Sequence, residues 1–167
     1  MSRVIVCDTG PLLHLNEAGA IHLLSLAGDI LIPPLVATEF ESNTQGWKPP
    51  QWIKILELEK SARQQATDLV RSSQIDEGEA EAISLALQEN ADWLLTDDSR
   101  ARQSAESVGL EVHGSIGLLL WNVAVGHIDD KTNALNLLNN LADSSLWVSE
   151  RVLKEARKVI ELLFREK

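Results

Sequence analysis

Four short apolar runs constrain this chain most: "RVIVC" (3–7), "ILIP" (30–33), "WLL" (93–95) and "LEV" (110–112). Each is followed by helical patterning instead of a hairpin turn. Runs of that length, apolar at consecutive positions, suit strands buried within a sheet. Their alternation with helices predicts an α/β protein with a mainly parallel sheet.

Between the runs, residues 11–26 place Leu12, Leu13, Leu15, Leu23, Leu24 and Leu26 on one broad apolar surface, with Gly28 as a stop, and read as a single helix. A short helix is expected from Val36 to Ser42, after Pro33-Pro34, and further helices over 61–73, 78–89 and 114–125. Residues 99–108 link the third and fourth runs. "WKPPQWIKILEL" (47–58) is a Pro-marked loop leading to an apolar stretch without an assignment. Near the end, Val152, Leu153, Ala156, Val159, Ile160, Leu163 and Phe164 share a helical face, with Glu150, Lys154, Glu155, Lys158 and Glu161 interleaved. Such an amphipathic helix either packs on its own domain or meets a partner or a second copy.

A chain of 167 residues without a Pro/Gly/Ser-rich linker suits one compact domain. We expect residues 1–126 to form the sheet domain and 127–167 a helical C-terminal extension packed on it. Cys7 has no partner for a disulfide, which favours a reducing compartment and hence the cytoplasm. Neither a secretory leader nor a run of about 18 apolar residues is visible, so a membrane location is not expected. The net charge of −10 opposes nucleic-acid binding in bulk. It permits such binding where the acids are concentrated in a site that cations neutralise and a local basic surface meets the phosphates.

Ligands of open parallel α/β sheets bind outside the carboxyl ends of the strands. Asp8 follows the first run directly, and Thr96, Asp97 and Asp98 follow "WLL" in the same way. Both positions also suit helix capping, for which Asp is a favoured residue. Glu39 lies just after the second run, in "VATEF", on an otherwise apolar helix. Asp76 and Glu79 have capping-box spacing. Glu79 also shares a face with Ile83 and Ala86, whereas Glu81 lies roughly 200° round the helix, so Glu79 points inward more readily. Inward carboxylates at about 5 Å repel by about 3 kcal/mol per pair at an effective dielectric near 20. They must take up protons or hold metal. Oxygen donors without a His or Cys cluster suit Mg²⁺ or Mn²⁺, and His14, His22, His113 and His127 show no close ligand spacing.

With Asp8-Thr9-Gly10, Glu39, "GEAEAISLA" and Thr96-Asp97-Asp98 in order over residues 3–125, the chain resembles the PIN-domain ribonucleases, the family that includes VapC-type toxins. The resemblance implies a three-layer α/β/α sandwich and divalent-metal-dependent hydrolysis of RNA phosphodiester bonds. It implies catalytic and metal-binding roles for Asp8, Glu39, Glu79 and Asp98, an auxiliary acid at Asp97, and supporting hydroxyls at Thr9 and Thr96. The family's third acid is usually Asp, and Glu81 competes with Glu79 for that place. A toxin role would bring an antitoxin partner that masks the acids, and homodimers are common in the family. The tail beyond about residue 126 is longer than in the compact toxins.

Arg100 and Arg102, with Lys48 and Lys54, are candidate phosphate contacts, and Trp47 and Trp52 candidate base-stacking residues. Surface solvation and loop closure account for the same residues without RNA. A phosphatase using an aspartyl-phosphate is disfavoured by Gly10, which stands where a second Asp would be needed. P-loop, dinucleotide and G-x-S-x-G motifs are absent. The remaining rival is a non-catalytic PIN-like binding or oligomerisation module whose acids serve as caps.

Overall fold

Alternate side chains of the central strands enter two separate cores. The computed structural model describes residues 2–167. In it β1 (Val4–Cys7) sends Ile5 and Cys7 to one face and Val6 to the other. Strand β2 (Asp29–Ile32) divides Ile30 and Ile32 from Leu31 in the same way. With β3 (Ile53–Ile55), β4 (Trp93–Leu95) and β5 (Val112–His113) these strands form one sheet, ordered β3-β2-β1-β4-β5. All its pairings are parallel.

Helices α1 (Thr9–Glu17), α2 (His22–Ala27) and α3 (Pro34–Asn43) bury apolar residues in the core on the Ile5 face. Helices α4 (Lys60–Ser73), α5 (Glu77–Gln88) and α6 (Ser99–Ser107) cover the Val6 face. Helix α7 (Ser115–Ala124) returns to the first layer, where α8 (Lys131–Ala142) and α9 (Glu150–Arg165) join it. The result is the three-layer α/β/α sandwich. Leu137, Leu138, Leu141, Leu153, Ala156 and Ile160 of the tail are buried in the same cluster as Ile5 and Leu12. Among the described residues no helix is long and apolar enough to cross a membrane.

The chain departs from the sequence reading in three places. The expected single helix over 11–26 is two, because Gly19 takes φ +69°, a left-handed conformation that ends α1. Leu15, Ala18, Ala20, Leu23 and Leu24 are buried on both sides of the break, so the apolar pattern runs through it undisturbed. The unassigned stretch after Pro49-Pro50 supplies β3, an edge strand pairing Ile53 with Ile30 and Ile55 with Ile32. Its Lys54 and Ile55 are exposed, leaving Ile53 as its buried residue. Charge on an exposed edge discourages pairing with other chains. Finally, 131–142 forms a helix that the sequence reading left out, capped by Asp130, whose side chain accepts from Asn133 N–H at 2.9 Å. Smaller shifts occur at ends: α3 starts on Pro34, as a proline favouring a first helical turn allows, and β5 begins at Val112.

Strands β1 and β4 are neighbours, and the strand order reverses between them. That reversal opens a crevice at their carboxyl ends, the position where such sheets hold ligands.

Candidate active site

Asp8 leaves β1 in an extended conformation and caps α1. Its backbone N–H donates to Leu95 O on β4 at 2.9 Å, which locks the two strand ends together. Its carboxylate accepts from Thr9 N–H (2.8 Å, Oδ1) and from the Thr96 hydroxyl (3.1 Å, Oδ2). The Thr96 oxygen in turn accepts from Asp98 N–H at 3.3 Å, and Asp98 caps α6 by accepting from Arg100 N–H at 3.0 Å. One threonine thus connects both strand-end acids. Glu39 is brought in from α3, where the Thr9 hydroxyl donates to its Oε2 at 2.6 Å.

The opposite wall is the first turn of α5. Asp76 and Glu79 form a reciprocal capping box, with bonds of 2.8 and 3.0 Å. Between them Gly78 admits the Glu39 carboxylate: a Cβ built there would lie 2.5 Å from Glu39 Oε1. Asp8, Glu39, Asp76, Glu79, Asp97 and Asp98 all line one cavity of about 350 Å³, with Thr9, His14 and Trp147. Glu81 lines a different cavity with Arg63 and Arg71.

A capping bond engages one oxygen of a carboxylate and leaves the second open unless another donor reaches it, as Thr96 reaches Asp8. Glu79 shows this most clearly: its Oε1 takes the bond from Asp76 N–H, and its Oε2 is buried with no hydrogen-bond partner. The Asp98 carboxyl group lies close enough to Glu79 to disfavour its ionisation, by contact and by charge. Burial first, then the Asp98 contact and the charges of Asp76 and Asp98, outweigh the Asp76 N–H bond and push Glu79 up to about 8. Asp8, 6% exposed, is pushed up to about 6 by burial, with Asp76 and Glu39 adding charge and the Thr9 and Thr96 bonds opposing. Burial also raises Glu81, reinforced by Glu77 and Glu39. The N-termini of α1, α5 and α6, capped by Asp8, Asp76 and Asp98, open toward the cavity and offset part of this repulsion.

Among the described residues no three His, Cys, Asp or Glu side chains converge as a ready-made metal cage. The donors are nevertheless those of a hard cation. All are oxygens, one is orphaned, and two carboxyl groups hold protons more tightly than usual because burial, and then neighbouring carboxylates, disfavour their charged forms.

Asp97 is occupied differently. It accepts from Ser115 N–H at 2.7 Å, the Ser115 hydroxyl at 2.5 Å and His14 Nδ1 at 2.7 Å. These bonds tie the start of α7 and the last turn of α1 to the segment that follows β4. Of the candidate phosphate contacts, Arg102 lines the adjoining cavity, which also includes Asp97, while Arg100 faces another one with Ser73 and Gln74. Lys48 and Lys54 do not line the acid cavity. Trp47 packs edge-on against Phe40, with ring centroids 4.2 Å apart, and Trp52 packs on the same core. Both serve the loop they close instead of presenting a free ring.

Asp76, His14 and Trp147 are among the lining residues that the sequence does not mark as site members. Asp76 was accounted for by its cap, His14 stood without a ligand-like spacing, and Trp147 lies in a linker between helices with no periodicity to mark it.

A family model described as the PIN domain matches residues 4–161. No curated protein matches the chain.

Proposed function

The chain belongs to the PIN-domain family, and from that premise we propose that it is a divalent-metal-dependent ribonuclease. PIN domains are usually nucleases, and they generally use divalent metals. The observation that carries the reading is the gathering of Asp8, Glu39, Glu79 and Asp98 around one cavity at the strand-order reversal, with a buried carboxylate oxygen left unpartnered. These four would hold Mg²⁺ or Mn²⁺. Bound there, the ion supplies Lewis acidity toward water and phosphoryl oxygen, and cancels charge that repels an RNA backbone. Thr96 and Thr9 fix the orientation of Asp8 and Glu39. Asp97 acts as a positioning residue, holding His14 and Ser115. Arg102 meets a phosphate beside the acids.

Incubation of labelled single-stranded RNA with the purified chain tests this. Cleavage should require Mg²⁺ or Mn²⁺ and be lost in Asp8→Asn and Asp98→Asn with far-UV circular dichroism unchanged. Cleavage that survives a chelator, or both substitutions, overturns it.

One observation favours the rival binding module: Asp8, Asp76 and Asp98 do cap helices. Calorimetric titration separates the two, since caps alone would not take up Mn²⁺ at micromolar concentration. A cytoplasmic toxin role, with an antitoxin over the acids and a homodimer, is a further extension supported by family likeness. Growth arrest on induced expression, absent for Asp98→Asn, would be its first sign.

A further inference from the structure

Trp147 is the most exposed large apolar side chain among the described residues, at 86%. The other four tryptophans are occupied. Trp47 lies against Phe40, Trp52 against the core, and Trp93 and Trp121 against each other and beneath Arg3. An indole left in water forfeits the apolar stabilisation that the others obtain.

Its position is specific. Trp147 lines the acid cavity and also a second cavity of about 370 Å³ carrying Arg102 and His113. Asp97 lines both, so the two are adjacent and Trp147 stands at their shared rim. Arg102 remains 42% exposed, tethered by a 3.4 Å bond to Val112 O and a loose 4.0 Å approach to Glu106. In a chain of net charge −10, a guanidinium beside the acids is charge-complementary to a phosphate. The linker that presents Trp147 is also held in place. The Ser145 hydroxyl donates to Glu17 Oε1 at 2.5 Å, Ser144 to Leu141 O at 2.6 Å, and Leu146 N–H to Ser144 Oγ at 3.2 Å. The ring is therefore offered from a constrained loop.

We propose that Trp147 is a stacking platform for an unpaired nucleobase of an RNA strand whose backbone passes the acids, with Arg102 engaging an adjacent phosphate. This rests on the ribonuclease reading. An aromatic ring at the rim grips any base by its π-face, and that face is free when the base is unpaired. The arrangement gives the site a preference for single-stranded substrate without base-specific hydrogen bonds.

The test compares wild type, Trp147→Ala, Trp147→Phe and Arg102→Ala in cleavage of a fluorescein-labelled single-stranded RNA. Binding is measured by anisotropy on an Asp98→Asn background to prevent turnover. Trp147→Ala should raise KM and Kd about tenfold or more, leave kcat within about threefold, and lose the RNA-induced quenching of tryptophan fluorescence. Trp147→Phe should keep most of the affinity. Arg102→Ala should weaken binding and reduce the salt dependence by about one phosphate contact. A duplex of the same sequence should not distinguish Trp147→Ala from wild type. If wild type cleaves and Trp147→Ala matches it in KM and Kd, the stacking role is wrong and the ribonuclease reading stands. A change of sedimenting mass in Trp147→Ala, with RNA binding unaltered, would likewise overturn it in favour of a protein contact. Wild type that neither cleaves nor binds RNA sinks both.

Discussion

At the amino edge of the sheet the Arg3 guanidinium lies 4.1 Å over the Trp93 ring and 5.0 Å from that of Trp121, and donates to Ala27 O at 3.1 Å. Asp92, beside it, accepts from Val4 N–H at 2.8 Å. At the carboxyl edge of the same strands, six carboxylates line one cavity, and His14 is the imidazole hydrogen-bonded into it, through Asp97. The first edge uses charge to close the fold; the second concentrates like charge and leaves an oxygen unsatisfied. Identical strands end in both, so the sheet does not require the repulsion. Under the proposed function the repulsion has a use, since it creates a demand for cations, in line with the clustering of perturbed carboxyl groups at functional sites.

The contrast breaks most visibly in activity. Asp98→Asn should lower cleavage by about a thousandfold or more if oxygen-held metal drives the reaction, read as initial rates at saturating Mn²⁺. Stability should move the other way for Asp8→Asn. Asp8 titrates near 6, above the ordinary 3.8, so the proton it carries when folded favours the native state. That contribution is complete below about pH 4 and disappears as pH rises through about 6. At pH 8 the buried carboxylate then costs the metal-free fold up to about 3 kcal/mol, which asparagine removes. Thermal melts in chelator should show Asp8→Asn more stable than wild type at pH 8, with the gap closing toward pH 4. Glu79, titrating near 8, extends the wild-type decline to higher pH. Mn²⁺ should restore the wild-type melting temperature and leave that of Asp8→Asn nearly unchanged. A gap that is absent or reversed would make Asp8 a cap and nothing more.

How much of this was legible in the chain depends on whether burial leaves a periodic trace. Asp8 stands directly after one apolar run and Asp98 three residues after another, and carboxylates closing buried strands are conspicuous. Glu79 was readable from its spacing to Ile83 and Ala86, because a helix face is set by geometry alone. Strand β3 was not, since only Ile53 of its three residues is buried and an edge strand needs no continuous apolar run. The break at Gly19 was hidden because both short helices press the same face on the core. Helix α8 did carry a signal, with Ala134, Leu137, Leu138 and Leu141 at helical intervals. Arg102 was marked by its place just after Asp98, but Trp147 was not, because its neighbours come from distant segments and no local pattern records their meeting.

The amino edge offers the converse experiment. Arg3→Ala removes a guanidinium from two indole faces and from Ala27 O, and should destabilise the chain by about 2 kcal/mol, seen in urea melts, with cleavage per folded molecule unaltered. A loss of cleavage there would mean that the two edges are coupled.

The smallest effect tests how finely the acid edge is assembled. Gly78 is the position at which a methyl group would collide with both Glu39 carboxylate oxygens, at 2.5 and 2.8 Å. What must yield is the far end of a flexible side chain, so Gly78→Ala should be well tolerated by the fold. Alanine within a helix even gains about 0.5–1 kcal/mol over glycine. Displacing Glu39 would break its 2.6 Å bond with the Thr9 hydroxyl and swing one oxygen donor away from Asp8. Cleavage should fall about tenfold, equivalent to 1.4 kcal/mol at the barrier, while the melting temperature holds or rises. That opposition of signs separates the acid edge from the amino edge with a single methyl group. If rate and stability instead fall together, Gly78 serves packing, and Glu39 is held by the fold and not by its place among the acids.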